Sequence, residues 1–451
     1  MNKTAPRVMI AGTGSGCGKT TAVCALLQIL KNRGLNPASF KCGPDYIDPM
    51  FHTNIIGVDA MNLDLFFSPE EDVRSLFARH AADYNVIEGV MGYFDGMEMH
   101  SDRASAYNVA KVLDVPVILI VNVRGMALSA AAVVSGYQKF RSPDKIKGVI
   151  FNRASAMSYP GLKKNVENEC GIPVLGYLPE NKEFSLESRY LGLITASEVE
   201  DLSSKMQKLA EEAEKTLDVD AIISLMSTAP SIDYDYVPAQ KRGEATIAVA
   251  KDKAFCFYYR ANLEMLEAMG AKLVYFSPTE DAILPECDGL LLGGGYPELY
   301  ADKLSANISM KESIKSAIDS GLPVIAECGG FMYLCDKING KDMVGIFHSG
   351  CESKGKLQRF GYASFSSEKE SLLFTPGEPI KGHEFHYFDA DDPGSCLTAV
   401  KPSGKSWNCA FANESMYAGY PHLYLPSNPK AAEKFIDKCI ERRKSHETHG
   451  N

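Results

Sequence analysis

Arg7-Val-Met-Ile-Ala-Gly12-Thr-Gly-Ser-Gly-Cys-Gly18-Lys19-Thr20-Thr21 decides the fold. Its first five residues form a strand-length run. From Thr20 to Lys31, Val23, Leu26, Leu27 and Leu30 recur at helical spacing, and Gly34 beyond them fits a left-handed cap. Strand, glycine loop and helix in that order are the setting of a phosphate-binding loop. Backbone N–H groups of Gly12, Thr13, Gly16, Gly18 and Thr21 would surround phosphate oxygens, and the helix start adds partial positive charge. Lys19 would bridge the outer phosphates and the Thr20 hydroxyl would hold Mg²⁺. A strict Gly-x4-Gly-Lys spacing puts glycine at 13, where Thr13 stands, so the loop is one residue longer, counted from Gly12. Gly14 occupies the position at which partitioning-type ATPases carry a second lysine, which argues against that class.

Outward from this loop, Asn85–Glu88, Val115–Val121 and Gly148–Phe151 read as further strands. Continuous apolar runs separated by helices predict a parallel sheet covered on both faces. Residues 198–218 are a charged helical stretch, and 226–244 carry two prolines and little periodicity. A second alternating series follows at Thr246–Ala250, Lys272–Phe276, Gly289–Leu292 and Pro323–Ala326. The expected organisation is therefore α/β throughout: a nucleotide domain over 1–195, a helical and irregular linker over 196–244, and a second α/β domain over 245–445.

Of the 451 residues, 45% are hydrophobic and 23% charged, which excludes a disordered or fibrous chain. Acidic residues outnumber basic ones by 57 to 47, a net charge of −10 that argues against nucleic-acid or anionic-membrane binding. No apolar run approaches the ~20 residues of a membrane helix, and no secretory signal precedes the first strand. The 12 cysteines lie singly, as reduced thiols would in cytoplasm, the expected location.

Lys41-Cys-Gly-Pro-Asp45-Tyr46-Ile-Asp48-Pro-Met-Phe-His52 gathers a lysine, two carboxylates and a histidine on a segment whose prolines predict an ordered loop rather than a helix. Asp45 and Asp48 suit one hard cation while leaving a carboxylate for substrate. Glu88-Gly-Val-Met-Gly-Tyr-Phe-Asp95-Gly begins where a strand runs out, the place for a carboxylate that holds Mg²⁺ or its water. Thr20, Asp48 and Glu88 are thus the candidate metal ligands.

The second half carries different chemistry. Pro323-Val-Ile-Ala-Glu327-Cys328-Gly-Gly330 reads as strand, sharp turn and helix, an elbow that presents a thiol at a helix start, where thiolate is favoured. Gly293-Gly294-Gly295 ends another strand and supplies N–H donors for an oxyanion. A base is needed, and His422, His348, His383 and His386 all compete for that role.

These stretches, in this order, resemble the cobyrinic acid a,c-diamide synthases, glutamine-dependent amidating enzymes of corrin biosynthesis, almost from end to end. The matching residues are 12–21, 41–49, 88–96, Leu292–Glu298, Ala326–Gly330 and Gly382–Tyr387. The resemblance implies a dethiobiotin-synthetase-like P-loop domain followed by a class I-like glutamine amidotransferase domain. It implies Cys328 as nucleophile and His422 as its base. Class I enzymes place a glutamate two residues after the histidine; here Tyr424 stands there, and Glu384 is a candidate replacement.

The implied reaction uses ATP and Mg²⁺ to turn the c and then the a acetate of the macrocycle into acyl phosphates, which ammonia from glutamine converts to amides. Lys41 would join the nucleotide site, Asn152 would read the adenine, and Asp45, Tyr46 and Asp95 would serve the substrate side. The small-molecule partners are the corrinoid, glutamine and ATP; a homodimer is compatible with the reading. Alternatives are the same reaction on nickel-sirohydrochlorin, cobyric acid synthase, and a non-enzymatic nucleotide switch.

Overall fold

Seven strands rich in buried aliphatic residues assemble the first sheet: β1 (Arg7–Gly12), β2 (Pro37–Cys42), β3 (Asp59–Leu63), β4 (Tyr84–Glu88), β5 (Val117–Asn122), β6 (Ile146–Asn152) and β7 (Val174–Leu178). Their order is β3-β2-β4-β1-β5-β6-β7, and every neighbouring pair is parallel. The computed structural model describes residues 1–180 and 196–449 and divides into two units, Met1–Tyr236 and Val237–Asn451. The domain end expected at residue 195 lies outside the described residues.

Parallel pairing aligns the chemistry-bearing ends. Glu88 pairs in register with Ile10 of β1 and with Lys41 of β2, so the glycine loop, the lysine and the carboxylate emerge at one edge. Helix α1 (Lys19–Asn32) follows the loop and buries Val23, Leu26, Leu27 and Leu30 against Val8 and Ile10. Gly34 beyond it takes φ +73°, the left-handed conformation expected there.

Two expectations are corrected. The segment after Lys41 is not a loop throughout: Ile47–Phe51 forms a short helix, α2, continued as a π-helical turn over His52–Ile56. Pro49 falls in the first turn of α2, where a backbone N–H has no helical acceptor to lose. The stretch expected as a linker also differs. Helix α3 (Ala196–Glu214) belongs to the first unit, where Met206, Leu209, Ala210 and Ala213 share a core with α1. Ile232 and Asp233 then pair antiparallel with Lys3 and Asn2.

The second unit is built on a sheet of β8 (Ala245–Ala250), β9 (Ala271–Phe276), β10 (Gly289–Leu292), β11 (Val324–Glu327) and β13 (Met416–Gly419), ordered β9-β8-β10-β11-β13 and parallel, with Phe411–Ala412 antiparallel at its edge. A separate antiparallel sheet contributes β12 (Ile380–His386), which pairs with Arg359–Ser366 and with β14 (His422–Leu423). No helix among the described residues is long and apolar enough to cross a membrane.

Candidate active sites at the ends of two sheets

In the first unit the loop is shaped by backbone that only glycine takes easily. Gly18 sits at φ +103°, and a Cβ there would land 2.2 Å from Asn152 Nδ2. Asn152 donates to the Cys17 carbonyl at 2.8 Å, so this residue, read as an adenine contact, fastens the loop itself. Gly12 ends β1, Thr21 lies in the first turn of α1, and the Thr13 carbonyl accepts a hydrogen bond from Tyr137 at 2.8 Å. Lys19 Nζ donates to the carbonyls of Gly14 (2.9 Å) and Met91 (2.5 Å), curled over the loop. Burial lowers the pKa of this ammonium.

Beside the loop lies a buried charge cluster. Thr20 Oγ1 donates to Glu88 Oε1 at 2.7 Å. Lys41 Nζ meets Asp48 at 2.5 Å, Glu88 at 3.0 Å and Asp45 at 3.8 Å. Burial alone would discharge Lys41, but the three carboxylates outweigh it and hold its pKa well above the usual value. Burial works to raise Asp48, yet Lys41 keeps it ionised. Glu88 is pushed up to about 7, chiefly by burial and then by Asp48. The second oxygen of Glu88, Oε2, is buried without a hydrogen-bond partner and faces His52 Nε2 at 3.8 Å. His52 is itself held neutral by burial, near pKa 4, with Nδ1 2.8 Å from Ser39 Oγ.

An orphaned buried carboxylate oxygen beside a hydroxyl and a second carboxylate fits Mg²⁺, which takes few protein oxygens and completes its shell with phosphate and water. Among the described residues no group of three or more His, Cys, Asp or Glu side chains is placed to hold a metal alone. Asp45 Oδ1 accepts the Ile47 and Asp48 N–H groups at 2.8 and 3.4 Å, and burial raises its pKa to about 6. Tyr46 beside it is buried. Asp95 is exposed and closes its turn by accepting the Gly92 N–H at 2.8 Å.

In the second unit Cys328 stands between β11 and a six-residue helix at Gly329–Leu334, with φ +48° and ψ −103°, a strained elbow. Its N–H donates to the Gly419 carbonyl at 2.7 Å, tying the elbow to the end of β13, three residues before His422. The glycine turn lies between them. A Cβ on Gly294 would come 2.4 Å from His422 Cε1, and one on Gly329 3.2 Å from the Gly295 nitrogen. The expectation of a favoured thiolate is not met: burial pushes the Cys328 thiol well above its ordinary value and Glu298 adds to this, against a Gly329 backbone hydrogen bond. Apolar surroundings outweigh so short a helix, so the sulfur needs a base to take its proton.

The oxyanion expectation is corrected in part. Gly293 N–H already donates to Tyr258 Oη at 2.8 Å, while Tyr258 donates to the Ala250 carbonyl. Gly294 and Gly295 pair antiparallel with Phe257 and Phe255. Of the competing histidines, His348 is exposed beside Asp336, His386 stacks on Tyr420 at 3.9 Å, and His383 stacks on His422 itself at 4.9 Å and 16°. Glu384 cannot orient His422. It neighbours His383 on β12 and so faces the other side of the strand, toward Arg359 and Trp407. The carboxylate facing His422 belongs to Glu327, whose Oε2 lies 3.8 Å from Nδ1. Its position just before Cys328 was the available signal.

Residues 8–192 match the CobQ/CobB/MinD/ParA nucleotide binding domain, and 246–430 the CobB/CobQ-like glutamine amidotransferase domain. The chain is 40% identical over 443 residues to the cobyrinate a,c-diamide synthase of Caldanaerobacter subterraneus, covering 96% of this chain and 98% of that protein. It is 38% identical to the enzyme so named from Priestia megaterium (97% and 98% covered) and 39% identical to that from Thermoplasma volcanium (98% and 99%). With both domains in this order and relatives matched over nearly their whole length, this chain belongs to the cobyrinate a,c-diamide synthase family.

Proposed function

We propose that this protein amidates the a and c acetate carboxylates of cobyrinic acid, using ATP to activate each acid and glutamine to supply nitrogen. A carboxylate is a poor electrophile, so the acetate attacks the γ-phosphorus of ATP and becomes an acyl phosphate, with ADP leaving. In-line phosphoryl transfer asks for positioning and charge neutralisation rather than a protein nucleophile. Lys19, released from the Gly14 and Met91 carbonyls, neutralises the outer phosphates. Thr20, Asp48 and Glu88 would hold Mg²⁺, which supplies Lewis-acid neutralisation of the transferring group. Lys41 keeps Asp48 ionised despite burial and works against the burial that raises Glu88. Asp45 and Tyr46, on the loop rim beside this cluster, meet the macrocycle, and Asp95 fixes the turn opposite.

At the second centre His422 takes the proton of the buried Cys328 thiol, and the sulfur attacks the glutamine carboxamide. N–H donors at the Gly294–Gly295 turn and at Gly329 stabilise the tetrahedral oxyanion. His422 returns the proton to the departing nitrogen, and ammonia leaves. Water then frees glutamate from the thioester. Ammonia displaces phosphate from the acyl phosphate, giving the amide.

The observation that carries this reading is the pairing of two chemistries on one chain: a lysine, hydroxyl and carboxylate cluster beside a glycine loop, and a strained cysteine elbow tied to the strand end three residues before His422. The test is mass-resolved turnover of cobyrinic acid with ATP, Mg²⁺ and glutamine. Two successive mass losses of one unit, one per acid-to-amide conversion, are expected with glutamine as nitrogen source. Turnover of nickel-sirohydrochlorin in place of cobyrinic acid would reassign the macrocycle.

A further inference from the structure

Glu327 makes two contacts with the strand that carries His422. Its Oε2 lies 3.8 Å from His422 Nδ1, and its Oε1 accepts the Leu423 N–H at 2.9 Å. Both side chains are buried, His422 at 2% and Glu327 at 6% exposure. Glu327 ends β11, paired with Gly419 at the end of β13, and Cys328 follows it directly. Across the imidazole face lies His383, whose Nδ1 meets Tyr259 Oη at 2.8 Å and which burial keeps neutral. The position two residues past the histidine is filled by Tyr424, packed edge-on against Tyr259 at 5.4 Å.

We infer that Glu327 is the positioning residue of the glutaminase centre, completing from the nucleophile's own strand the Cys328–His422 pair that lacks a downstream glutamate. The carboxylate fixes the imidazole proton on Nδ1 and leaves Nε2 as the acceptor for the Cys328 proton. When imidazolium forms, the attraction across the 3.8 Å gap draws the pair into a charge-assisted hydrogen bond. The Leu423 bond keeps the carboxylate from swinging away, and His383 restricts the imidazole to one plane.

Glu327→Gln tests this sharply, because glutamine keeps an oxygen for the Leu423 N–H but turns an NH₂ donor toward Nδ1. The imidazole must then accept at Nδ1, which moves its proton to Nε2, the wrong tautomer. Glutamine-dependent kcat should fall on the order of a hundredfold or more, by analogy with such tautomer swaps. The KM for glutamine should stay within about threefold and ammonium-driven amidation within about twofold, with the melting temperature retained. Glu327→Asp should recover part of the loss.

Unchanged glutamine-dependent kcat in Glu327→Gln, or equal losses with glutamine and ammonium, would overturn the assignment. The inference rests on the glutaminase reading of Cys328. If Cys328→Ala still uses glutamine, that reading fails; if it does not and Glu327→Gln is active, only this inference fails.

Discussion

Lys41 and Glu88 form a 3.0 Å ion pair at the ends of adjacent parallel strands, in register with each other and almost wholly withdrawn from solvent. A pair so buried stabilises little by itself, because desolvation opposes the Coulomb attraction. Its consequence is chemical: the lysine holds Asp48 ionised and opposes the rise of Glu88 beside a phosphate loop, where a nucleotide-bound cation needs carboxylates.

Glu88→Gln removes the charge while keeping an acceptor for Thr20. The Mg²⁺ concentration needed for half-maximal amidation should rise at least tenfold, with glutaminase activity unchanged. Metal titrations under ammonium-driven conditions measure this, and an unshifted midpoint would reduce Glu88 to scaffolding.

Lys19→Ala should eliminate amide formation with glutamine and with ammonium alike, since both depend on the activated acid. Acyl-phosphate trapping with hydroxylamine provides the readout. Ammonium-driven product at more than a few per cent of the parent rate contradicts the phosphate role.

Gly294→Ala places a methyl 2.4 Å from His422 Cε1, so the imidazole or the turn must move. A displacement near 1 Å at a reacting group costs on the order of 10²-fold. Glutamine hydrolysis should drop by that order while ammonium-driven amidation persists. Retained glutaminase activity would show that the turn does not seat the base.

His386 is buried against Tyr420, and burial lowers its pKa from 6.5 to about 4. A histidine depressed in this way stays neutral in the folded protein and takes up a proton first in the unfolded one. Its contribution to stability is complete above pH 6.5 and is lost as pH falls toward 4, up to about 3 kcal/mol. His383 and His52 share the sign. His386→Gln should therefore lose less stability between pH 7 and pH 4.5 than the parent, by urea denaturation. An equal loss in both would remove His386 as a source of acid lability.

Much of this architecture is legible in the residues. The glycine loop with its strand and helix, the carboxylate at the end of β4 and the cysteine elbow are local features, set by spacing and turn chemistry. What the chain hides is long-range. Helix α3 reads as a charged linker, although Leu202, Met206, Leu209 and Ala213 recur at helical spacing and bury one stripe. Glu384 looks available for His422 until the pleat of β12 turns it to the opposite face from His383. Glu327 sits next to the thiol in sequence, but its reach to His422 depends on β13 returning beside β11. The thiol's expected acidity fails for a related reason, since burial is a property of the assembled core.

The central claim is that acid activation and nitrogen release are separate centres served by different residues. Cys328→Ala assayed with cobyrinic acid, ATP and Mg²⁺ tests it most directly, by mass-resolved product with glutamine and, in parallel, with ammonium chloride. Diamide from ammonium at close to the parent rate, with none from glutamine, is the predicted result. Loss of both activities, or product still formed from glutamine, would contradict the account.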